Sequence, residues 1–299
     1  MIEGLFNAGY SIWNALIDIV ISLFTTSPKA ASPALTSTIQ TLFNSLKAAA
    51  FPLAVVFFLI ALIRDVVSTP PDQQLRKFIG SAIKYCIILG IIENLWSIMG
   101  YVMGFADGVT SAFSNAGGSN YYLSMNNDLQ SAIAEAGQKP DVTIHLTSIG
   151  DDLKELISAW WDHVLAEIIM LISGLVTLFI IIASSISLIN SAFQRIFKPM
   201  VILPFASIAV AMGAGTGEAS RVMSNYLKTF FGYCLSGAFM VICVKMSVAL
   251  MNDQVISSLN FDSASLIEKT VYACVQNAVM PLVCAGLVKS ADSVIQRFF

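Results

Sequence analysis

Residues 191–217, SAFQRIFKPMVILPFASIAVAMGAGTG, constrain the fold of this chain more than any other stretch. Arg195 and Lys198 lead into an apolar run that Pro199 and Pro204 interrupt and Gly213, Gly215 and Gly217 close. The apolar part, about 15 to 17 residues, is shorter than the roughly 20 that a straight membrane-spanning helix needs. A broken hydrophobic segment is tolerated at membrane depth only where protein or a wet cavity satisfies its freed backbone groups. The stretch therefore crosses with a break, dips in and returns, or is an ordinary short helix kinked by proline.

Composition decides the setting. Hydrophobic residues make up 56% of the chain and charged residues 12%, with a mean hydropathy of +0.76. A soluble domain carries about a quarter of its residues charged. The chain reads as an all-α integral membrane protein. Its net charge of −3 is too small to name a partner. Glu3 and the lack of a basic n-region in MIEGLFNAGYSIW argue against a removable signal peptide. Cys86, Cys234, Cys243, Cys274 and Cys284 lie in apolar segments without C-x-x-C spacing, and read as packed thiols. No cofactor is expected.

Residues 1–27 form an amphipathic helix. Asn7, Ser11, Asn14, Asp18 and Ser22, spaced by 4, 3, 4 and 4, put the polar side chains on one narrow stripe. The stripe suits a helix lying in the membrane interface, although no Lys or Arg accompanies it. It also suits an upright helix whose polar seam meets another subunit. Pro28 and Pro33 open a linker and helix lead-in over 28–47. Two spans follow within 48–105. The first is 48–67, ending at Arg64 and Asp65; the second, 85–105, has Glu93 as its one charge and Gly100 and Gly104 in G-x-x-x-G spacing. Residues 106–159 form a polar loop domain with a helix expected over 123–136. The core, 160–299, holds spans over 168–189, 230–251 and 271–288 together with the broken segment 199–217. Lys245 lies inside the second of those spans.

Charge orients the spans. Arg64, Arg76, Lys77 and Lys84 against Asp65 and Asp72 make the first connection basic, and Arg221 and Lys228 do the same after the glycines. The loops over 106–156 and 252–269 are acidic. A full crossing by 199–217 would put the Arg221 loop outside, against the positive-inside rule. A re-entrant or one-sided broken segment lets every loop obey it. The expected topology is five spans plus that segment, with the N-terminus outside and the C-terminus cytoplasmic.

Arg195-Ile196-Phe197-Lys198, Leu203-Pro204-Phe205-Ala206, the glycine-rich end, Arg221, Tyr226-Leu227-Lys228-Thr229-Phe230 and Leu235-Ser236-Gly237-Ala238 together carry a resemblance. The run resembles the core of the TrbL-type family, polytopic cytoplasmic-membrane subunits of conjugative type IV secretion systems, and within it the Gram-positive branch. The likeness is tightest over 192–245 and looser from residue 46 to the end. Ser207 stands where a second proline is common and Ser236 where an acidic residue is common, departures that touch the sub-branch more than the class. The resemblance implies a bacterial cytoplasmic-membrane protein with five spans and a large outside loop. It also implies other secretion-system subunits as partners, an ATPase among them.

Moving DNA or protein through a bilayer needs a protein-lined polar route, because each charge at its centre costs a few kcal/mol. Five spans are narrow for that, so a homo-oligomeric ring, a pentamer being one form, is the simpler solution. Asn7, Ser11, Asn14 and Asp18 are its candidate seam. Arg195, Lys198, Arg221 and Lys228 either set topology or contact anions: membrane lipid headgroups, a partner ATPase, or translocated DNA in transient contact. Glu93 and Lys245 are single intramembrane charges, either functional or a structural pair with each other. Asp162, His163 and Glu167 are a weak metal pattern. No nucleophile, phosphate-loop or zinc-protease motif points to an enzyme. A stand-alone secondary transporter or ion channel with a site at the broken segment near Pro204 is the alternative.

Overall fold

The structure, a computed structural model, describes residues 2–116, 121–125, 127–137, 149–252 and 266–298. Among these, 93% are helical and none is in a strand. The helices are α1 (Ile2–Thr25), α2 (Pro28–Ala31), α3 (Pro33–Val67), α4 (Pro71–Asn115), α5 (Asn127–Ala136), α6 (Ile149–Ile202), α7 (Ala206–Met212), α8 (Glu218–Asn252) and α9 (Leu266–Phe298). A 3-10 turn, Leu203–Phe205, separates α6 from α7. Proline opens α2, α3 and α4, at the position whose missing N–H would have no helical partner. Ser32 caps α3 by accepting a hydrogen bond from the Leu35 N–H at 3.3 Å.

Among the described residues, six helices are long and apolar enough to cross a membrane. Five of them, in α3, α4, α6, α8 and α9, contain the expected spans, and α1 is the sixth. Their outer faces are apolar as well. On α6, Ile172, Phe179 and Ile186 recur every seven residues and are 58%, 63% and 61% exposed. Helices that are apolar inside and outside belong in lipid, and the chain is a multi-pass membrane protein.

Packing joins pieces distant in sequence into two compact units, which cut across the boundaries drawn from hydropathy. One contains Met1–Ile21, Gly117–Asn190 and Ile242–Lys289; the other contains Ser22–Ala116, Ser191–Val241 and Ser290–Phe299.

In the first unit, α1 buries Phe6, Tyr10, Trp13, Ile17 and Val20, a 4-3-4-3 seam of large side chains. The Tyr10 hydroxyl donates to Asn277 Oδ1 of α9, and Ser173 of α6 donates to Cys274 of α9 at 2.9 Å. The polar stripe of α1 has a partner within the chain. Asn14 Nδ2 donates to the Leu123 carbonyl at 3.1 Å while Asn14 Oδ1 accepts from the Leu123 N–H at 2.9 Å. The Tyr122 hydroxyl donates to Asp18 Oδ1 at 3.0 Å. Residues 121–125 are not helical, with Tyr121 and Leu123 buried and Tyr122 exposed, and α5 starts at Asn127 where a helix from 123 was expected. Much of the expected loop domain, including 117–120 and 138–148, lies outside the described residues.

The second unit forms around the broken segment. Its core takes Phe43, Ala50 and Ala54 from α3, Ile92, Leu95, Met99 and Met103 from α4, and Phe230 and Cys234 from α8. Met200, Leu203, Ala206, Val210 and Ala214 of the segment fill the same core. The segment breaks once, at the 3-10 turn; α6 continues through Pro199 without interruption. It does not fold back. Arg195 pairs with Asp107 of α4, a side chain on Gly213 would meet Ile88, and Gly215 accepts a hydrogen bond from Lys84. The segment therefore runs one way along about 35 Å of α4, at 1.5 Å per residue. Of the two expected forms, re-entrant or broken, the segment takes the broken one, and α3 and α4 supply the protein wall that makes a break tolerable.

Candidate functional site

The broken segment supplies the most constructed site of the second unit, and Arg195 is its hub. Only 1% of this side chain is exposed. Its Nη2 donates to Asp107 Oδ1 at 3.1 Å, and its Nη1 donates to the carbonyls of Leu23 and Thr26 at 3.1 and 3.3 Å. Those carbonyls belong to the end of α1, where helical geometry leaves acceptors without partners and a cation is favoured. The planar guanidinium reaches all three acceptors at once, which an ammonium on a single stem does not. A side chain on Gly237 of α8 would fall 2.0 Å from Arg195 Nε, so only glycine leaves room for the brace. One arginine thus ties α6 to α4, α8 and the end of α1.

The break has its own support. At the 3-10 turn the Ala206 N–H donates to the Leu203 carbonyl, and the turn opens at the Ile202 carbonyl. The Tyr226 hydroxyl of α8 donates to it at 2.8 Å. At the far end the Lys84 ammonium donates to the Gly215 carbonyl at 2.7 Å. Gly217 turns the chain into α8 with φ +63°, the left-handed region that glycine enters without strain.

The sequence-derived candidates separate on this scaffold. Pro199, Pro204, Gly213 and Gly215 are buried in the segment, so a transporter site at Pro204 would lie inside packed protein. Arg195 faces inward, where its acceptors are Asp107 and the carbonyls of Leu23 and Thr26. Lys198 is half-buried with its ammonium 5.9 Å from the Tyr233 ring centre. Arg221 and Lys228 are exposed, and Arg221 pairs with Glu218 at 3.0 Å on the surface of α8. Glu93 and Lys245 belong to different units. Lys47 of α3 approaches Glu93 at 3.4 Å, and Lys245 lies 5.1 Å from the Tyr121 ring centre. Asn7, Ser11 and Asp18 are exposed and Asn14 is half-buried. Gly100 receives the Lys29 side chain, whose ammonium sits 4.8 Å from the Trp96 ring centre, while Gly104 faces open space. Burial lowers the Lys29 pKa from its ordinary value. Among the described residues, no three His, Cys, Asp or Glu side chains are grouped to hold a metal ion.

Asp107, Tyr226 and Lys84 carry the site, and reading the sequence gave none of them a role there. Their signals were faint. Asp107 counted only toward an acidic loop, and Lys84 only toward a basic one.

No family model matches the chain. Nor does any curated protein or solved structure resemble it.

Proposed function

We propose that the chain is a membrane subunit of a conjugative type IV secretion machine, a channel or scaffold component that helps move DNA or protein across the bacterial cytoplasmic membrane. The observation that carries this reading is the overlap of the TrbL-like motif with one packing module. Arg195 fits against Gly237, and the turn at Pro204 is completed by Tyr226, so residues from both ends of 192–245 hold one another in place. The product is a rigid broken helix.

Such a helix suits the inner wall of an assembly, where irregular backbone must be supported by protein. Copies of the chain form a homo-oligomeric ring, a pentamer being one arrangement, because one chain of this size is too narrow to enclose a polymer. The glycine turn brings the start of α8 beside Arg64, since the Arg64 Nη1 lies 3.5 Å from where a Gly217 side chain would begin. The two basic connections then share one side, which the positive-inside rule assigns to the cytoplasm, with the N-terminus outside and the C-terminus within. No chemistry is assigned to this chain; hydrolysis of ATP belongs to a partner subunit.

Deleting the gene from a donor cell should reduce transfer of a marked plasmid to background, with recovery when the wild-type gene is supplied in trans. Undiminished transfer would overturn the proposal.

A further inference from the structure

Beside the glycine turn of the second unit is a cavity of about 500 Å³. Arg76, Lys77 and Lys84 of α4 line it, with Asp65 as the one carboxylate and Thr216 and Ser81 as hydroxyls. Asp65 is partly engaged, accepting from the Ser81 hydroxyl at 3.4 Å. Three cations against one carboxylate leave an excess of two positive charges in a concave, partly open site.

The first turns of α4 divide these functions by face. Gln73, Arg76, Lys77, Gly80, Ser81 and Lys84 follow helical spacing toward the cavity. By the same helical spacing Ile79 and Ile83 adjoin the Arg76 edge of that face, with Leu75 and Phe78 farther round; in chain order the four are 72%, 46%, 49% and 56% exposed. A cationic cavity bordered by an exposed apolar face matches a molecule with a phosphate at one end and hydrocarbon at the other. Basic clusters next to a membrane span attract anionic lipid in this way.

We infer that the Arg76/Lys77/Lys84 cavity binds the phosphate of an anionic phospholipid headgroup, whose acyl chains lie along the apolar face of α4. The site does not depend on the secretion reading or on a ring. Lys84 has two tasks: its ammonium holds Gly215, and it contributes charge to the cavity wall. Occupancy of the cavity by a headgroup therefore touches the same residue that fixes the end of the broken helix.

The test uses full-length protein purified in a neutral detergent, with phosphatidylglycerol or phosphatidylcholine added and bound lipid counted by native mass spectrometry. Wild type should retain phosphatidylglycerol over phosphatidylcholine. Arg76→Gln with Lys77→Gln should reduce that retention by about tenfold or more, given the affinity each juxtamembrane cation supplies. Arg76→Lys with Lys77→Arg should preserve it, which separates lost charge from lost folding. Arg221→Gln with Lys228→Gln, the same charge change elsewhere, should leave it unchanged. Equal losses in the two Gln pairs, or no preference in wild type, would overturn the site. Displacement of the lipid by millimolar inorganic phosphate would overturn the lipid assignment and identify free phosphate as the ligand.

Discussion

The Tyr226 hydroxyl donates to the Ile202 carbonyl at 2.8 Å, at the residue where α6 gives way to the 3-10 turn. A buried polar group costs free energy unless it is hydrogen-bonded, and this bond pairs the Tyr226 hydroxyl with the turn. Replacing Tyr226 with Phe should keep the ring packing and lose only the bond. Membrane hydrogen bonds average about 0.6 kcal/mol and reach about 1.7 kcal/mol, so Tyr226→Phe should destabilise the protein by about 0.6–1.7 kcal/mol. A lower midpoint in thermal unfolding of the detergent-solubilised protein checks this.

Arg195 and Asp107 form a pair whose members should fail separately. Arg195→Met or Asp107→Leu strands the opposite charge in the interior, at about 3–5 kcal/mol. The double variant removes both charges and should recover part of that loss. Gly237→Ala should be as harmful as Arg195→Met, because a methyl there displaces the guanidinium. Once Arg195→Met is present, Gly237→Ala should add little. Unfolding midpoints of the three singles and two doubles measure the coupling, and strict additivity would contradict the brace.

These pairings explain how much the sequence disclosed. The spans were legible because hydropathy is a local property, and Pro204 with its following glycines located the break. The partners were not legible. Asn14 and Asp18 form a clear stripe, yet the stripe could not say whether it served another subunit or, as the structure has it, residues 121–125 more than a hundred positions away. The buried 4-3 seam of Phe6, Tyr10, Trp13, Ile17 and Val20 was in view too, and the polar stripe drew attention from it. Charge counting left 199–217 as either re-entrant or a one-sided broken segment, because it had no knowledge that Asp107 and Lys84 lie at opposite ends of the segment's path.

The Asn14 clip should control order in residues 121–125. Asn14→Leu removes both bonds to Leu123, and the Leu123 amide should exchange with solvent about fivefold faster, one modest hydrogen bond's worth. Asn14→Asp keeps the acceptor and loses the donor, so its effect should be intermediate. Hydrogen exchange followed by mass spectrometry reads both.

Tyr122 should titrate above the ordinary tyrosine value of 10.0, because its hydroxyl donates to Asp18 and the nearby carboxylate opposes a phenolate. The sign follows directly. The bond is present below the ordinary value and is lost as pH rises through the raised one. Asp18→Asn should bring the Tyr122 midpoint down, as observed by NMR of ring-labelled tyrosine, whereas an unshifted midpoint would mean that the contact is absent in solution.

Cryo-electron microscopy of the protein in lipid nanodiscs tests the central claim most directly, since one map reports particle symmetry and the path of residues 191–217. A closed ring of identical subunits, each with the segment running one way from Asp107 to Lys84, is the predicted result. A monomer with the segment folded back around a solvent-lined pocket at Pro204 would contradict both the secretion-subunit reading and the packing described for α4.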